Sequence, residues 1–239
     1  LWEIAYEAHL DNEKNGTRNL VSARLVSGVM TEYLKEQPKV EVFLDYCEQA
    51  NGLLMLQGKI WDEKRKQERL IYTFPHLTFE EYLAARYLDS EDGDFLRNLL
   101  DQSFDRWREV AMLLGEHLCF ASPRKGQMND ILRALVEKKS LAPNEKDWRA
   151  AWLAGELLTL YKRAFPKESP YEKEIVAALL ALVKTAALMP RERADVADLL
   201  DSLDYRPQAQ YQFIHIPKPA PGAVLGVEGI GDFYIAKTL

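Results

Sequence analysis

The feature that most constrains this chain is a helical pattern of apolar residues that continues from Thr78 to about Asp204. Apolar residues recur there at the spacing of amphipathic helices. The pattern breaks only at short polar or proline-containing segments, which are DSEDGD (89–94), ASPRKGQ (121–127), SLAPNEKD (140–147) and FPKESP (165–170). More than half of the chain is therefore predicted to consist of helices joined by short loops, which gives a mainly α fold.

A faint internal repeat occurs within the helical region. WREVAMLLGE (107–116) recurs as WRAAWLAGE (148–156), about 40 residues later, and this offset is typical of helix-pair repeats of the HEAT type. Chance similarity between two amphipathic helices would also account for so short a match. We predict a HEAT-like helical arm over residues 89–204, with Trp107, Trp148 and Trp152 filling the seams between its helices.

The N-terminal region has a different order of elements. Three segments with helical spacing, the second over Leu20–Leu34, are followed by two strand-like runs, GLLMLQGKIW (52–61) and RLIYTF (69–74). A charged tip joins the two runs. Three helices followed by a β-hairpin is the order of a winged helix, whose wing is the hairpin. We assign residues 1–88 to a winged-helix domain.

The composition changes after Tyr205, where glycine, proline and β-branched residues replace the helical pattern. Strands are predicted around residues 212–216, 223–227 and 232–237. A few short strands do not make an independent domain. Residues 205–239 are therefore predicted to be a linker and the short, incomplete β segment that opens a truncated domain. Both ends of the chain fall within regular elements, so we interpret it as a piece of a longer protein.

Composition and charge indicate which binding partners and which cellular compartment are compatible with this chain. Hydrophobic residues make up 47% and charged residues 28%, and the formal net charge of −6 argues against a nucleic-acid or anionic membrane surface. A winged helix can bind DNA, but the helix that would enter the groove carries Glu41, Asp45 and Glu48, which phosphates would repel. Cys47 and Cys119 have no disulfide or zinc spacing, which fits a cytoplasmic protein. No segment has the length and apolarity of a membrane span.

The stretch YTFPHLTFEEYLAARYL (72–88) places a histidine between a strand and a helix. Pro75 ends the strand, and Thr78 with Glu81 forms a predicted capping box that starts the helix. His76 would then lie about two residues before a helix N-terminus, where backbone amides favour an anion such as a phosphate. Residue chemistry alone leaves two roles open, a hinge histidine bonded to backbone and a phosphate contact.

Other polar residues offer weaker candidates. His9, His117 and His215 have no partner at the spacing of metal ligands, so no metal site and no catalytic residue are predicted. The adjacent Glu80 and Glu81 are expected to be solvated acids on a helix surface.

The stretch around His76 closely resembles the segment that closes the winged-helix domain of NACHT-type signal-transduction NTPases, which belong to the STAND class. There a strand ending in Phe-x-His precedes a helix that begins roughly T-F-Q/E-E-Y-L-A-A. The matching residues are Phe74, His76, Thr78, Phe79, Glu81, Tyr82, Leu83, Ala84 and Ala85. The resemblance covers residues 1 to about 165. It implies that His76 reaches the β-phosphate of ADP bound in an adjacent nucleotide-binding domain and keeps the protein closed.

One departure from that family matters. The chain contains no G-x-x-x-x-G-K-[ST] loop and no acidic strand end for magnesium. The nucleotide-binding domain is therefore expected upstream of Leu1, or it is absent. No catalytic site and no cofactor are assigned to this chain. The resemblance implies ADP or ATP with Mg²⁺ in the parent protein, and whether that protein is an enzyme stays open.

The C-terminal stretch FIHIPKPAPGAVLGVEGIGDFYIAKTL (213–239) is similar to the first strands of formylglycine-generating-enzyme-like domains, also called sulfatase-modifying-factor-like domains. The matching residues are Phe213, Ile216, Pro217, Gly226, Phe233, Ile235 and Lys237. The catalytic cysteines of true members would lie beyond Leu239. Many such domains serve as C-type-lectin-like binding modules.

Together the two resemblances imply a non-catalytic regulatory and oligomerisation segment of a bacterial multidomain NACHT-type sensor. It would hold an ADP-bound, autoinhibited state and couple a C-terminal recognition domain to activation. Its expected partners are the upstream nucleotide-binding domain and protein partners or further copies of itself, with no membrane. Two alternatives stay open: an N-terminal helical scaffold of a formylglycine-generating-type oxidase, and a helical adaptor with no nucleotide partner.

Overall fold

In the computed structural model, the described residues are 1–35, 37–47, 52–62, 66–137, 143–185, 188–205, 213–216 and 233–236. Most of them lie in helices, beside a three-stranded antiparallel sheet and a separate antiparallel strand pair. The prediction of a mainly α chain with a small sheet is confirmed.

The N-terminal elements alternate helices with three strands. In chain order they are α1 (Trp2–Asn15), β1 (Val21–Ser22), α2 (Ala23–Leu34), α3 (Gln37–Tyr46), β2 (Met55–Asp62), β3 (Gln67–Thr73) and α4 (Leu77–Leu88). β3 lies in the centre of the sheet, between β1 and β2, and both pairings are antiparallel. This order, with the β2–β3 hairpin after α3, is the arrangement of a winged helix.

One predicted boundary in this region is wrong. The helical pattern predicted a helix from Leu20, but Val21 and Ser22 form β1, in which Val21 pairs with Tyr72 of β3. The helix starts later because Ser22 is the N-cap of α2, and its hydroxyl accepts a hydrogen bond from the Leu25 amide at 3.2 Å. The N-cap residue is extended, so the backbone ahead of it is free to pair as a strand.

The arm is a stack of helices in two layers. Its elements are α5 (Gly93–Gln102), α6 (Phe104–Glu116), a π-helical turn (His117–Ala121), α7 (Lys125–Val136), α8 (Glu145–Ala164), α9 (Glu172–Lys184) and α10 (Pro190–Ser202). α5, α7 and α9 pack in sequence along one layer, and α6, α8 and α10 pack along the other. α5, α7 and α8 begin within predicted breaks, whereas α6 and α10 begin where no break was predicted. Asp92 caps α5, and Asn144 with Asp147 forms a capping box on α8.

The two copies of the sequence repeat occupy equivalent places in this stack. They lie on α6 and α8, and each supplies a glycine to a close helix crossing. A Cβ at Gly115 would meet the Leu157 side chain, and a Cβ at Gly155 would lie 2.6 Å from Leu199 Cδ2. Trp107, the first residue of the first copy, is fully buried. The glycines therefore let successive helices approach closely.

Buried apolar side chains form two clusters, and α1 and α4 contribute to both. In the winged helix, the cluster includes Ile4, Ala5 and Ala8 of α1 beside β-strand and α2 residues, with Leu83 of α4 packed against it. The larger cluster runs through the arm and includes Tyr6 of α1 and Ala84, Ala85 and Leu88 of α4. The winged helix and the arm are therefore joined through two shared helices.

The C-terminal strands form an antiparallel pair. β4 (Phe213–Ile216) and β5 (Phe233–Ala236) align Phe213 with Ala236 and Ile216 with Phe233. They coincide with two of the three predicted strands, and the third, at 223–227, lies outside the described residues. Within the described ranges, no helix combines the length and apolarity needed to cross a bilayer.

Replacing Gly93 with alanine is expected to lower the free energy of unfolding by about 1–3 kcal/mol. A Cβ at this position would lie 2.5 Å from the backbone oxygen of Asp130 on α7, so α5 and α7 would have to separate. The matched control is Gly28→Ala on α2, where a Cβ meets nothing within 4 Å and helix propensity improves. Urea denaturation compares the two, and a Gly93→Ala protein as stable as the Gly28→Ala protein would contradict the close packing.

Candidate functional site

His76, the predicted site residue, is exposed and lies between β3 and α4. Its backbone is extended (φ −142°, ψ 151°), and its carbonyl accepts a hydrogen bond from the Phe79 amide at 3.0 Å. His76 is therefore the N-cap residue of α4 itself. The predicted capping box of Thr78 and Glu81 is wrong, because the helix begins two residues earlier and places Thr78 in its first turn. The His76 side chain does not cap the helix.

The backbone ahead of His76 is anchored at Phe74. The Phe74 ring is 1% exposed. The side-chain amide of Asn19 donates to the Phe74 carbonyl at 2.9 Å and accepts from the Phe74 amide at 3.2 Å. Pro75 follows, and its ring fixes φ. The chain therefore reaches His76 from a fixed point two residues away.

The backbone after His76 is anchored by Glu80, which is fully buried on α4. Its Oε1 lies 2.8 Å from His9 Nδ1 and 3.6 Å from Arg106 Nη2, and its Oε2 accepts from Asn12 at 3.4 Å. We call these four side chains the Glu80 cluster. The expectation that Glu80 is a solvated surface acid is wrong, because α1 and α6 cover the face of α4 that carries it.

The Glu80 cluster joins three helices, since His9 and Asn12 lie on α1 and Arg106 on α6. His9 Nε2 lies 3.1 Å from the Arg106 carbonyl, so both ring nitrogens face oxygen acceptors and both donate only in the imidazolium form. Arg106 also donates to the carbonyls of Thr17 and His9, at 3.1 and 3.3 Å. Burial lowers the pKa of the Arg106 guanidinium, and Glu80 opposes that shift.

Trp107 adds a second link between α1 and α6. Its Nε1 donates to Glu13 Oε2 at 3.1 Å, and its ring meets the His9 ring edge-on at 4.7 Å between centroids. The indole therefore combines apolar burial with a satisfied hydrogen bond. Together with Arg106, it fixes the first helix of the winged helix to the arm.

A cavity of about 330 Å³ adjoins the start of α4. Its walls include Leu77 and Glu81 of α4, Arg106 of α6, and Thr17 and Arg18, which lie in the loop after α1. Burial raises the pKa of the Glu81 carboxyl, and the neighbouring Glu109 adds to the shift. Glu81 thus differs from Glu80 because it lines this cavity, whose walls also include His9, Asn12 and Arg106 of the Glu80 cluster, and is only partly buried.

A second polar group lies around His117 at the π-helical turn. Arg86 Nη1 donates to His117 Nδ1 at 3.0 Å, so the ring proton lies on Nε2, which is 3.9 Å from Asp89 Oδ2. Arg124 pairs with the same Asp89. Burial and then the Arg86 charge lower the pKa of the His117 imidazole. This cluster connects α4 with the start of α7.

The two cysteines are buried, and no disulfide joins them. Burial raises the pKa of both thiols, that of Cys119 to about 11, so neither is a reactive thiolate at neutral pH. Among the described residues, His, Cys, Asp and Glu form no group of three or more that could hold a metal ion. His215 lies in β4, and its side chain is outside the described residues.

Comparisons with models of protein families, with curated proteins and with solved structures give no significant match.

Replacing Glu80 with alanine is expected to lower the free energy of unfolding by about 3–5 kcal/mol, because it leaves buried His9 and Arg106 without their anion. The matched control is Glu81→Ala, the adjacent carboxylate outside the cluster, which is expected to change stability far less. Chemical denaturation of the two variants measures the difference. Equal losses would show that the Glu80 cluster does not hold the helices together.

The lowered pKa of His117 predicts a pH dependence of stability. The unfolded chain takes up this proton near the ordinary value of 6.5, whereas the folded chain takes it up only at lower pH. The free energy of unfolding therefore falls as pH drops below about 6.5. A His117→Gln protein is expected to lose less stability between about pH 7.5 and 5.5, measured by denaturation at both values. An identical loss in both proteins would contradict the assignment.

Proposed function

We propose that this chain is a non-catalytic regulatory and oligomerisation segment of a NACHT-type sensor. In this proposal His76 contacts a phosphate of ADP bound to an adjacent nucleotide-binding domain of the same protein. The observation that carries it is the placement of His76, whose exposed side chain projects from a backbone anchored at Phe74 and at Glu80. An exposed imidazole on an anchored backbone suits contact with a group outside the chain.

The start of α4 also suits a phosphate. The first amides of a helix have no carbonyl four residues before them within the helix. In α4 the Phe79 amide donates to the His76 carbonyl, and the His76 side chain does not cap the amides of the first turn. The helix dipole adds partial positive charge at the same end. A phosphate placed there would meet the His76 ring and the first-turn amides together.

The regulatory role rests on coupling between His76 and the arm. The winged helix and the arm share α1 and α4 and are joined by the Glu80 cluster. Displacing the arm would therefore displace His76. A contact worth a few kcal/mol between closed and open states is enough to shift such an equilibrium. Release would then permit assembly with further copies.

The remaining parts of the proposal concern partners and compartment. The adjacent domain would hold ADP or ATP with Mg²⁺, and the C-terminal β segment would open a recognition domain. The two unpaired, buried cysteines support a cytoplasmic location.

His76→Ala in the full-length protein is expected to speed ADP release by roughly 10- to 100-fold, the factor that corresponds to one hydrogen bond to a charged group. Release is measured by displacement of a fluorescent ADP analogue. Thr78→Ala is the matched control, because Thr78 is also exposed in the first turn of α4. Equal release rates in the wild-type and His76→Ala proteins would remove His76 from the mechanism.

A further inference from the structure

We infer that Asn19 is a positioning residue for His76, because its side chain takes the place of a missing strand residue opposite Phe74. Asn19 touches no ligand and acts only through the backbone that leads to His76. The inference concerns the chain itself, and it rests on the proposed function only where its test uses ADP.

The register of the sheet shows what Asn19 replaces. Val21 pairs with Tyr72 and Ser22 with Ile71, so an antiparallel ladder continued by two residues would place Asn19 opposite Phe74. β1 stops at Val21, and Asn19 turns away from the strand with φ 56°. The backbone of Asn19 therefore does not continue the ladder.

The side chain of Asn19 makes the hydrogen bonds to Phe74 that a strand backbone at this position would make. A carboxamide carries one acceptor oxygen and a donor nitrogen, like a peptide group. Nδ2 donates to the Phe74 carbonyl at 2.9 Å, and Oδ1 accepts from the Phe74 amide at 3.2 Å. The Asn19 carbonyl in turn accepts from Thr73 Oγ1 at 2.8 Å. One side chain therefore bonds both backbone groups of Phe74, and Thr73 Oγ1 also donates to the Phe74 carbonyl, at 3.1 Å.

The choice of asparagine follows from two requirements at one position. The residue must adopt a left-handed backbone, which asparagine and glycine tolerate, and it must supply both a donor and an acceptor. Glycine meets the first requirement without the second. Aspartate supplies the acceptor but lacks the donor to the Phe74 carbonyl.

The Asn19 bonds fix the backbone only two residues before His76. The fixed residue Phe74 lies two positions before His76, and Pro75 between them has a restricted φ. Without the Asn19 bonds, the Phe74 amide would lose its partner, and Phe74 would be held by its buried ring and by Thr73 Oγ1, which donates to its carbonyl at 3.1 Å. The backbone of His76 would then be anchored mainly from the side of α4, and it is expected to become more mobile.

The first experiment uses the 239-residue chain without any ligand. Asn19→Gly keeps the left-handed backbone and removes both bonds, so amide exchange at Phe74 is expected to rise about tenfold, the effect of one lost hydrogen bond. The ¹⁵N heteronuclear NOE at His76 is expected to fall. Asn19→Asp, which keeps the acceptor, is expected to give an intermediate change. The matched control is Lys35→Gly, a second non-glycine residue with positive φ (57°), far from Phe74 in sequence. An unchanged NOE at His76 in both Asn19 variants would overturn the inference.

The second experiment measures ADP release from the full-length protein in a double-mutant cycle. Asn19→Gly is expected to speed release when His76 is present and to add nothing in the His76→Ala background. Additive effects would show that Asn19 acts by another route and would overturn the inference.

The two proposals fail in different ways. If His76→Ala leaves release unchanged while Asn19→Gly still loosens His76 in the ligand-free chain, the proposed function fails and the positioning role stands. If His76→Ala speeds release while Asn19→Gly changes neither His76 mobility nor release, the positioning role fails and the proposed function stands.

Discussion

The structure depends on one buried carboxylate. Glu80 is fully buried, and leaving a charge unpaired in such a place costs several kcal/mol. It is tolerated because His9, Asn12 and Arg106 surround it with an imidazole, an amide donor and a guanidinium. Those partners come from α1 and α6, so the same contacts that satisfy Glu80 hold the winged helix against the arm.

The helix that carries Glu80 links three parts of the molecule. Its N-cap is His76, its middle is the Glu80 cluster, and its last turn places Ala84, Ala85 and Leu88 in the core of the arm. A helix of 12 residues extends about 18 Å. Movement of the arm would therefore reach the exposed histidine through a single stiff element, which is the physical basis of the proposed regulation.

Local patterns in the sequence were sufficient to predict most helices and strands, but they did not predict which of these elements contact each other. The helical periods of the arm, the β2–β3 hairpin and the placement of His76 between a strand and a helix all follow from residue order. β1 was missed because two residues are too few to show an alternating pattern. The capping box was misplaced because Thr78 and Glu81 have the right spacing, although the backbone of His76 already starts the helix.

The Glu80 cluster shows why long-range contacts escaped prediction. His9 and Arg106 are 97 residues apart, and no local signal pairs them. Ala84 and Leu88 follow Glu80 at four-residue intervals, but Ala84, Ala85 and Leu88 follow Glu81 at three, four and seven residues, and both spacings share a helix face. The helical period therefore did not decide which of the two acids is buried. Asn19 gave no comparable signal, because a left-handed backbone leaves no trace in residue spacing.

The central claim is that His76 contacts a phosphate held by a neighbouring domain, and a structure of the full-length protein with ADP bound tests it most directly. The account predicts a ring nitrogen of His76 at hydrogen-bond distance, about 2.7–3.2 Å, from a phosphate oxygen, with α4 and the Glu80 cluster arranged as described above. A His76 ring left in solvent or packed on protein, with ADP bound elsewhere, would contradict it.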